Sequence, residues 1–192
     1  MSQTSLENVF NEMFAAIDAC LKADIKLPAL LLAYTLIDIA GWLNSEKSVG
    51  AGFTDWVEIY LLPNSALPCS SRELYGARCG LLHNYSASSK VKNVRKIFYT
   101  WLPTRVEDHQ KLISLYEEMT VRLGNTPEKL VAIQAEDIFT ALRIGVDKFL
   151  SDIANDPQRA ERVYAKAENM MLENQEIDMH SLIAAATEVL AD

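Results

Sequence analysis

The sequence predicts an all-α protein, a helical bundle, and three observations carry that prediction. Apolar residues recur at spacings of three and four almost throughout the chain. Hydrophobic residues make up 49% with only seven glycines, which argues against a disordered chain and against a turn-rich all-β architecture. At 192 residues the chain is one domain, or a domain with a small extension, and is long enough to bury a core.

In chain order, residues from about 6 to 22 place Phe10, Phe14, Ile17 and Leu21 on one helical face. Pro28 then sits at a natural helix start, and 29–43 is apolar on most sides, the pattern of a central helix packed by several neighbours. A membrane span over 27–43 is the weaker reading: it is at the short limit for spanning, and Asp38 in its middle would cost several kcal/mol in a bilayer. No membrane partner is expected. Gly50 and Gly52 are expected to break the chain before a shorter amphipathic piece over 53–62, and Pro63 and Pro68 bracket the next loop.

Ser70 or Ser71 can cap a helix that runs through Leu74, Arg78, Leu81 and Leu82 to about residue 85. A polar linker follows over 86–89. Ile97, Phe98, Tyr99, Thr100 and Trp101 are β-branched or aromatic, so an extended segment or short hairpin is expected near 91–101. Helix returns over 104–123 and stops at Gly124-Asn125. Thr126-Pro127-Glu128 reads as a restart, and the helix from about 130 to 153 keeps Ile138, Leu142, Phe149 and Ile153 on one stripe. From Pro157 the chain is acidic, alanine-rich and helical, with a break near Asn174. The seam at Gly124-Asn125 divides a bundle over 1–124 from a C-terminal helical extension over 125–192 packed on it, which reads equally as a lid, a mimic of RNA, or scaffolding.

Charge is unevenly placed. From Arg72 to Arg105 there are seven basic residues against one acid, +6, in a chain whose net charge is −8. Binding of nucleic acid over the whole surface is therefore excluded, and a local contact with an anion such as phosphate is favoured. Arg72, Arg78, Lys90, Lys92, Arg95, Lys96 and Arg105 supply the patch. Cys20, Cys69 and Cys79 lack paired spacing and read as reduced thiols, and the N-terminus shows no secretory pattern, so a cytoplasmic protein is expected. The three cysteines and three histidines have no zinc-ligand spacing, so neither metal nor cofactor is expected. His109 and His180 are assigned to solvent.

Inside the patch lies Arg78-Cys-Gly-Leu-Leu-His83. A histidine titrating near neutrality can take a proton from a ribose 2′-hydroxyl or return one to a leaving oxygen. An arginine can hold the phosphate and neutralise developing charge. Five residues separate the two by about 140° on an ideal helix. Either the helix loosens before His83, or the two serve a cleft bounded by more than one helix, as a symmetric dimer supplies. A purely structural reading stands beside it: Arg78 pairs an acid on a neighbouring helix, and His83 ends its own. Asp38, a carboxylate in the most apolar helix, must find a partner, with Arg78 or a helix N-terminus the obvious candidates. Cys79 reads as a small packing residue.

The run Glu73-Leu-Tyr-Gly-Ala-Arg78-Cys-Gly-Leu-Leu-His83 resembles the motif of the HEPN superfamily. The helix over 28–43 with Asp38, and that over 56–62, are similar to one bacterial branch, and the likeness spans about 25–101. The resemblance implies an up-and-down helical bundle that forms a homodimer, with motif helices of two protomers at a composite cleft. Many members are metal-independent endoribonucleases acting as toxins or in defence against phage, often controlled by a cognate antitoxin protein; others are binding or dimerisation modules. By position Arg78 and His83 match the catalytic pair, and Asp38 would support them. The resemblance assigns no residue outside that pair; Asn84, Tyr85 and Ser86 are neighbours expected to line the cleft, and Lys90, Lys92, Arg95 and Lys96 of the basic segment are expected to meet RNA or a nucleotide. Active members often carry a polar residue after the arginine, where this chain has Cys79, and that departure leans towards a binding module.

Overall fold

The computed structural model describes residues 3–84, 91–101 and 106–168, with side chains at 6–82, 91–101 and 107–168. Over these residues the chain is mostly helical with one small two-stranded sheet. In order come α1 (Gln3–Lys22), α2 (Lys26–Asn44), α3 (Val49–Trp56), α4 (Ser71–Asn84), β1 (Lys96–Thr100), α5 (Val106–Arg122), β2 (Leu130–Gln134), α6 (Ala135–Asn155) and α7 (Pro157–Glu168). Beyond α3 the chain continues as a π turn over Val57–Leu61 and a 3₁₀ turn over Leu62–Asn64.

The N-terminal helices follow their sequence pattern. Phe10, Phe14 and Ile17 of α1 are buried, and α2 buries Ala29, Leu30, Ala33, Leu36, Ile37, Ala40 and Leu43 among its neighbours. α2 is the one described helix long and apolar enough to cross a membrane, and here it packs against α1 and α3 inside the protein. Gly50 and Gly52 do not break the chain; they lie within α3. The physical reason is close packing rather than turning: a Cβ on Gly41 would lie 2.7 Å from the Gly52 carbonyl oxygen, and one on Gly52 would lie 2.8 Å from that of Gly41. The α2 and α3 backbones therefore touch, with no side chain between them.

Between 91 and 134 the structure departs most from a helical bundle. β1 lies where an extended segment was expected, but it makes no hairpin. It pairs in parallel with β2, Lys96 opposite Leu130 and Thr100 opposite Gln134, with α5 as the crossover. The helical restart at 126–128 and the helix over 130–134 are both corrected by this pairing. Leu130, Val131 and Ile133 carry β-branched or bulky side chains, Val131, Ala132 and Ile133 are buried, and the helix begins at Ala135. The stop at Gly124 is as expected: Gly124 takes φ +76, its N–H bonds the Val121 carbonyl at 2.9 Å and the Asn125 N–H bonds that of Thr120 at 3.0 Å.

The core crosses the seam drawn at 124–125. Trp56 of α3 stacks edge-on to Phe149 of α6 at 6.3 Å, and Phe149 meets Phe10 of α1 at 6.4 Å and Tyr60 at 5.4 Å. Gly145 lets α6 approach the π turn, since a Cβ there would lie 2.9 Å from the Tyr60 carbonyl oxygen. Each fully buried apolar side chain of this cluster contributes about 2 kcal/mol relative to exposure. Val163 and Ala167 carry α7 into the same core. Residues 135–168 are thus part of the body that holds the motif helix in place, while the break near Asn174 and His180 lie outside the described residues.

Candidate functional site

α4 is fixed at its start by a reciprocal cap. The Ser70 Oγ accepts from the Glu73 N–H at 3.3 Å, and Glu73 Oε2 accepts from the Ser70 N–H at 2.8 Å. Glu73 also holds the segment leading into β1. Arg95 Nε donates to Oε1 at 2.6 Å, Nη2 donates to Oε2 at 3.0 Å, and the Arg95 backbone N–H reaches Oε1 at 3.3 Å. Each carboxylate oxygen therefore has two donors. Burial pushes the Glu73 carboxyl up, but the bonds from Arg95 and Ser70 outweigh it and hold it below its ordinary value.

Two turns further along α4 the situation changes. Arg78 Nε and Nη2 both converge on one oxygen of Asp38, each at 2.7 Å, with side chains only 16% and 15% exposed. The second oxygen, Oδ1, is buried with no partner among the described residues. Burial dominates over the arginine, so the Asp38 carboxyl lies above its ordinary value, while the same pairing overcomes burial at Arg78 and raises it. The sequence offered Asp38 either Arg78 or a helix N-terminus as its partner, and the structure joins it to Arg78 across α2 and α4.

Two further side chains belong to this group, and sequence reasoning missed their part. Tyr75, one turn before Arg78, places its ring 5.9 Å from the guanidinium carbon. Arg78 Nη1 faces Cys79 Sγ at 3.9 Å, so Cys79 is a neighbour of the arginine rather than mere filling. The signal was present in the helical spacing, with Tyr75, Cys79 and position 83 four residues apart along one line of α4. Burial raises the Tyr75 hydroxyl, with Cys79 adding to it. α2 is tied to β1 as well, through the Tyr34 and Tyr99 hydroxyls, which bond one another in the interior. Tyr34 and Asp38 lie one turn apart on α2, so that helix braces both β1 and α4.

His83 lies within α4, which continues to Asn84. A loosened helix before His83 is thus excluded, and the separation of about 140° from Arg78 stands. The side chains of His83 and Asn84, and Tyr85, Ser86, Lys90 and Arg105 altogether, lie outside the described residues.

The cationic segment is not one open patch. Arg78 is held by Asp38, Arg95 by Glu73 and by the Pro68 carbonyl at 3.0 Å, and Lys96 by Glu128. Arg72 and Lys92 are exposed. His109 is not a solvent residue: its Nε2 lies 3.1 Å from the buried Thr100 hydroxyl, fastening α5 to the end of β1. Among the described residues no three histidine, cysteine or acidic side chains come together in a way that would hold a metal ion, and all three cysteines are free.

Compared with models of known protein families, with curated proteins and with solved structures, the chain matches none.

Proposed function

We propose that this chain is a metal-independent endoribonuclease of the HEPN type that acts as a homodimer, with His83 as general acid and base and Arg78 as the phosphate clamp. The observation that carries the reading is the state of Arg78. Its fork is gathered onto a single oxygen of a carboxylate whose other oxygen has no partner among the described residues, on a helix that carries a histidine five residues on. Such a carboxylate orients the guanidinium without saturating it, and Nη1 is left facing a thiol rather than a second acid. Clusters of buried, mutually perturbed groups favour functional sites over plain scaffolding.

The reaction follows from those roles. One His83 takes the proton of a ribose 2′-hydroxyl, and the 2′-oxygen attacks the adjacent phosphorus. Arg78 neutralises the charge that grows on the phosphoryl oxygens. The bond to the 5′-oxygen breaks, and the partner's His83 gives that oxygen a proton, leaving a 2′,3′-cyclic phosphate and a 5′-hydroxyl. The composite cleft of a dimer answers the wide angle between Arg78 and His83 on a single helix.

A second reading, a non-catalytic module that dimerises and binds a nucleotide or a protein such as an antitoxin, is favoured by the depth of the Arg78–Asp38 pair and by Cys79 beside it. The deciding experiment is cleavage of labelled single-stranded RNA in excess EDTA by the wild type, His83→Ala and Asp38→Asn. Cyclic-phosphate ends from the wild type, lost in His83→Ala, are expected. No cleavage by any of the three, all folded and dimeric, would turn the conclusion to the binding module.

A further inference from the structure

A parallel pair of strands is ordinarily covered by helices on its faces, because crossover helices lie back upon the sheet. Here α5 packs on β2 and α4 packs on β1, and Phe98 of β1 is left about half exposed beside α5. The result is a groove of about 430 Å³ whose walls are almost wholly apolar. Phe98 forms its floor, and Leu112, Leu115 and Met119 of α5 form its side, each between 44% and 55% exposed. Exposed apolar surface gathered in one place marks an interaction surface rather than ordinary scatter.

The sequence of α5 says what fits. Leu112, Leu115 and Met119 follow one another at spacings of three and four, the seam of a helix pair. Lys111 and Glu118, seven residues apart, flank that seam on the same side and are both exposed. A parallel pairing of two α5 helices would set Lys111 and Glu118 against the partner's Tyr116 and the partner's Leu123, leaving both charges without an opposite one. An antiparallel pairing about a two-fold axis near the middle of α5 sets Lys111 against Glu118 of the partner subunit, twice over. Each copy would then lay its α5 into the other's groove and cover Phe98.

We infer that the α5–β1 groove is a self-association surface, occupied by the antiparallel α5 of a second copy of this chain. This interface lies away from the motif helix and does not depend on the ribonuclease reading. Sedimentation velocity of the full chain across micromolar concentrations tests it, with circular dichroism and thermal unfolding as the check on folding. Leu115→Glu is exposed and should fold normally, yet shift the protein to a smaller species. Lys111→Glu should weaken association about tenfold, and Lys111→Glu with Glu118→Lys should restore it, since surface pairs of this kind are modest singly but occur here twice. The inference is overturned if the wild type is monomeric, as it would be were residues 169–192 to cover the groove within one chain. It is equally overturned if association survives Leu115→Glu unchanged, which would place the contact elsewhere, the motif helices included. Capture of a different protein by a monomeric wild type through this groove would overturn it as well.

Discussion

α4 holds two arginine–carboxylate pairs, and they are built to opposite ends. At its start Glu73 receives two donors on each oxygen, from Arg95 and from the backbone, while Arg95 itself is 44% exposed. Two turns on, Asp38 and Arg78 are both nearly enclosed, yet the fork of the arginine meets only one oxygen and the other has no partner among the described residues. One carboxylate is held below its ordinary value and the other above. The lesson is that the count of donors, rather than the presence of an arginine, decides whether a buried carboxylate is at rest. Glu73 is a fastening. Asp38 is a group kept in tension beside the candidate site.

The sharpest way to break this contrast is to remove the cation from the enclosed pair. Arg78→Ala strands a nearly enclosed carboxylate and should cost about 3 kcal/mol of stability, read from urea unfolding, because an unpaired buried charge is strongly unfavourable. Replacing both members, Arg78→Met with Asp38→Leu, should recover most of that loss. A cost below about 1 kcal/mol for Arg78→Ala would show that water reaches Asp38 freely and would end the comparison.

A smaller effect is expected at the other pair. Glu73→Gln loses part of the cap and one charged partner of an exposed arginine, for roughly 1–2 kcal/mol. The pH dependence should separate the two by sign. Glu73, lowered in the folded state, contributes stability above the ordinary carboxylate range, and that contribution is lost as pH falls through its lowered value. Asp38, raised in the folded state, carries a penalty above its raised value that is relieved as pH falls towards the ordinary 3.8. Acid unfolding should therefore flatten in Glu73→Gln and steepen in Asp38→Asn, and the reverse pattern would overturn the assignment.

The smallest effect sharpens the picture of the first pair's surroundings. Burial pushes the Cys69 thiol up to about 12, with Glu73 adding and Arg95 opposing. Cys69 should stay unalkylated at pH 8 in the folded protein and react only on unfolding, as mass spectrometry of iodoacetamide-treated protein would report.

How much of this was legible in the sequence depends on range. The buried face of α1, the apolar α2 and the stop at Gly124 are local patterns, and each stands where periodicity places it. The match of Asp38 to Arg78 was also within reach, because a carboxylate in an apolar helix demands a cation. β2 was not. Val131, Ala135, Ile138 and Leu142 fit a helical stripe well enough, and only pairing with β1 across a long intervening stretch makes Leu130–Gln134 a strand. Gly50 and Gly52 misled for a related reason: a glycine that ends a helix looks like one that makes room for a neighbour, the Tyr75 ring at Gly50 and the Gly41 backbone at Gly52, until that neighbour is known. The capping box over Ser70 and Glu73 was there to be read, yet the second use of Glu73 by Arg95 was not, since nothing local announces it.

The parallel strands also set an order of events. Helices α1 to α4 can form and pack through contacts between neighbours along the chain, whereas β1 and β2 must wait for roughly 30 residues to close into a loop. That crossover is slower than they are, and the docking of α6 onto Trp56 and Phe10 spans more of the chain still. Until the two strands pair, their open edges add to the surface that Phe98 and the apolar side of α5 already expose, which is when this protein is most exposed to clumping with its own copies.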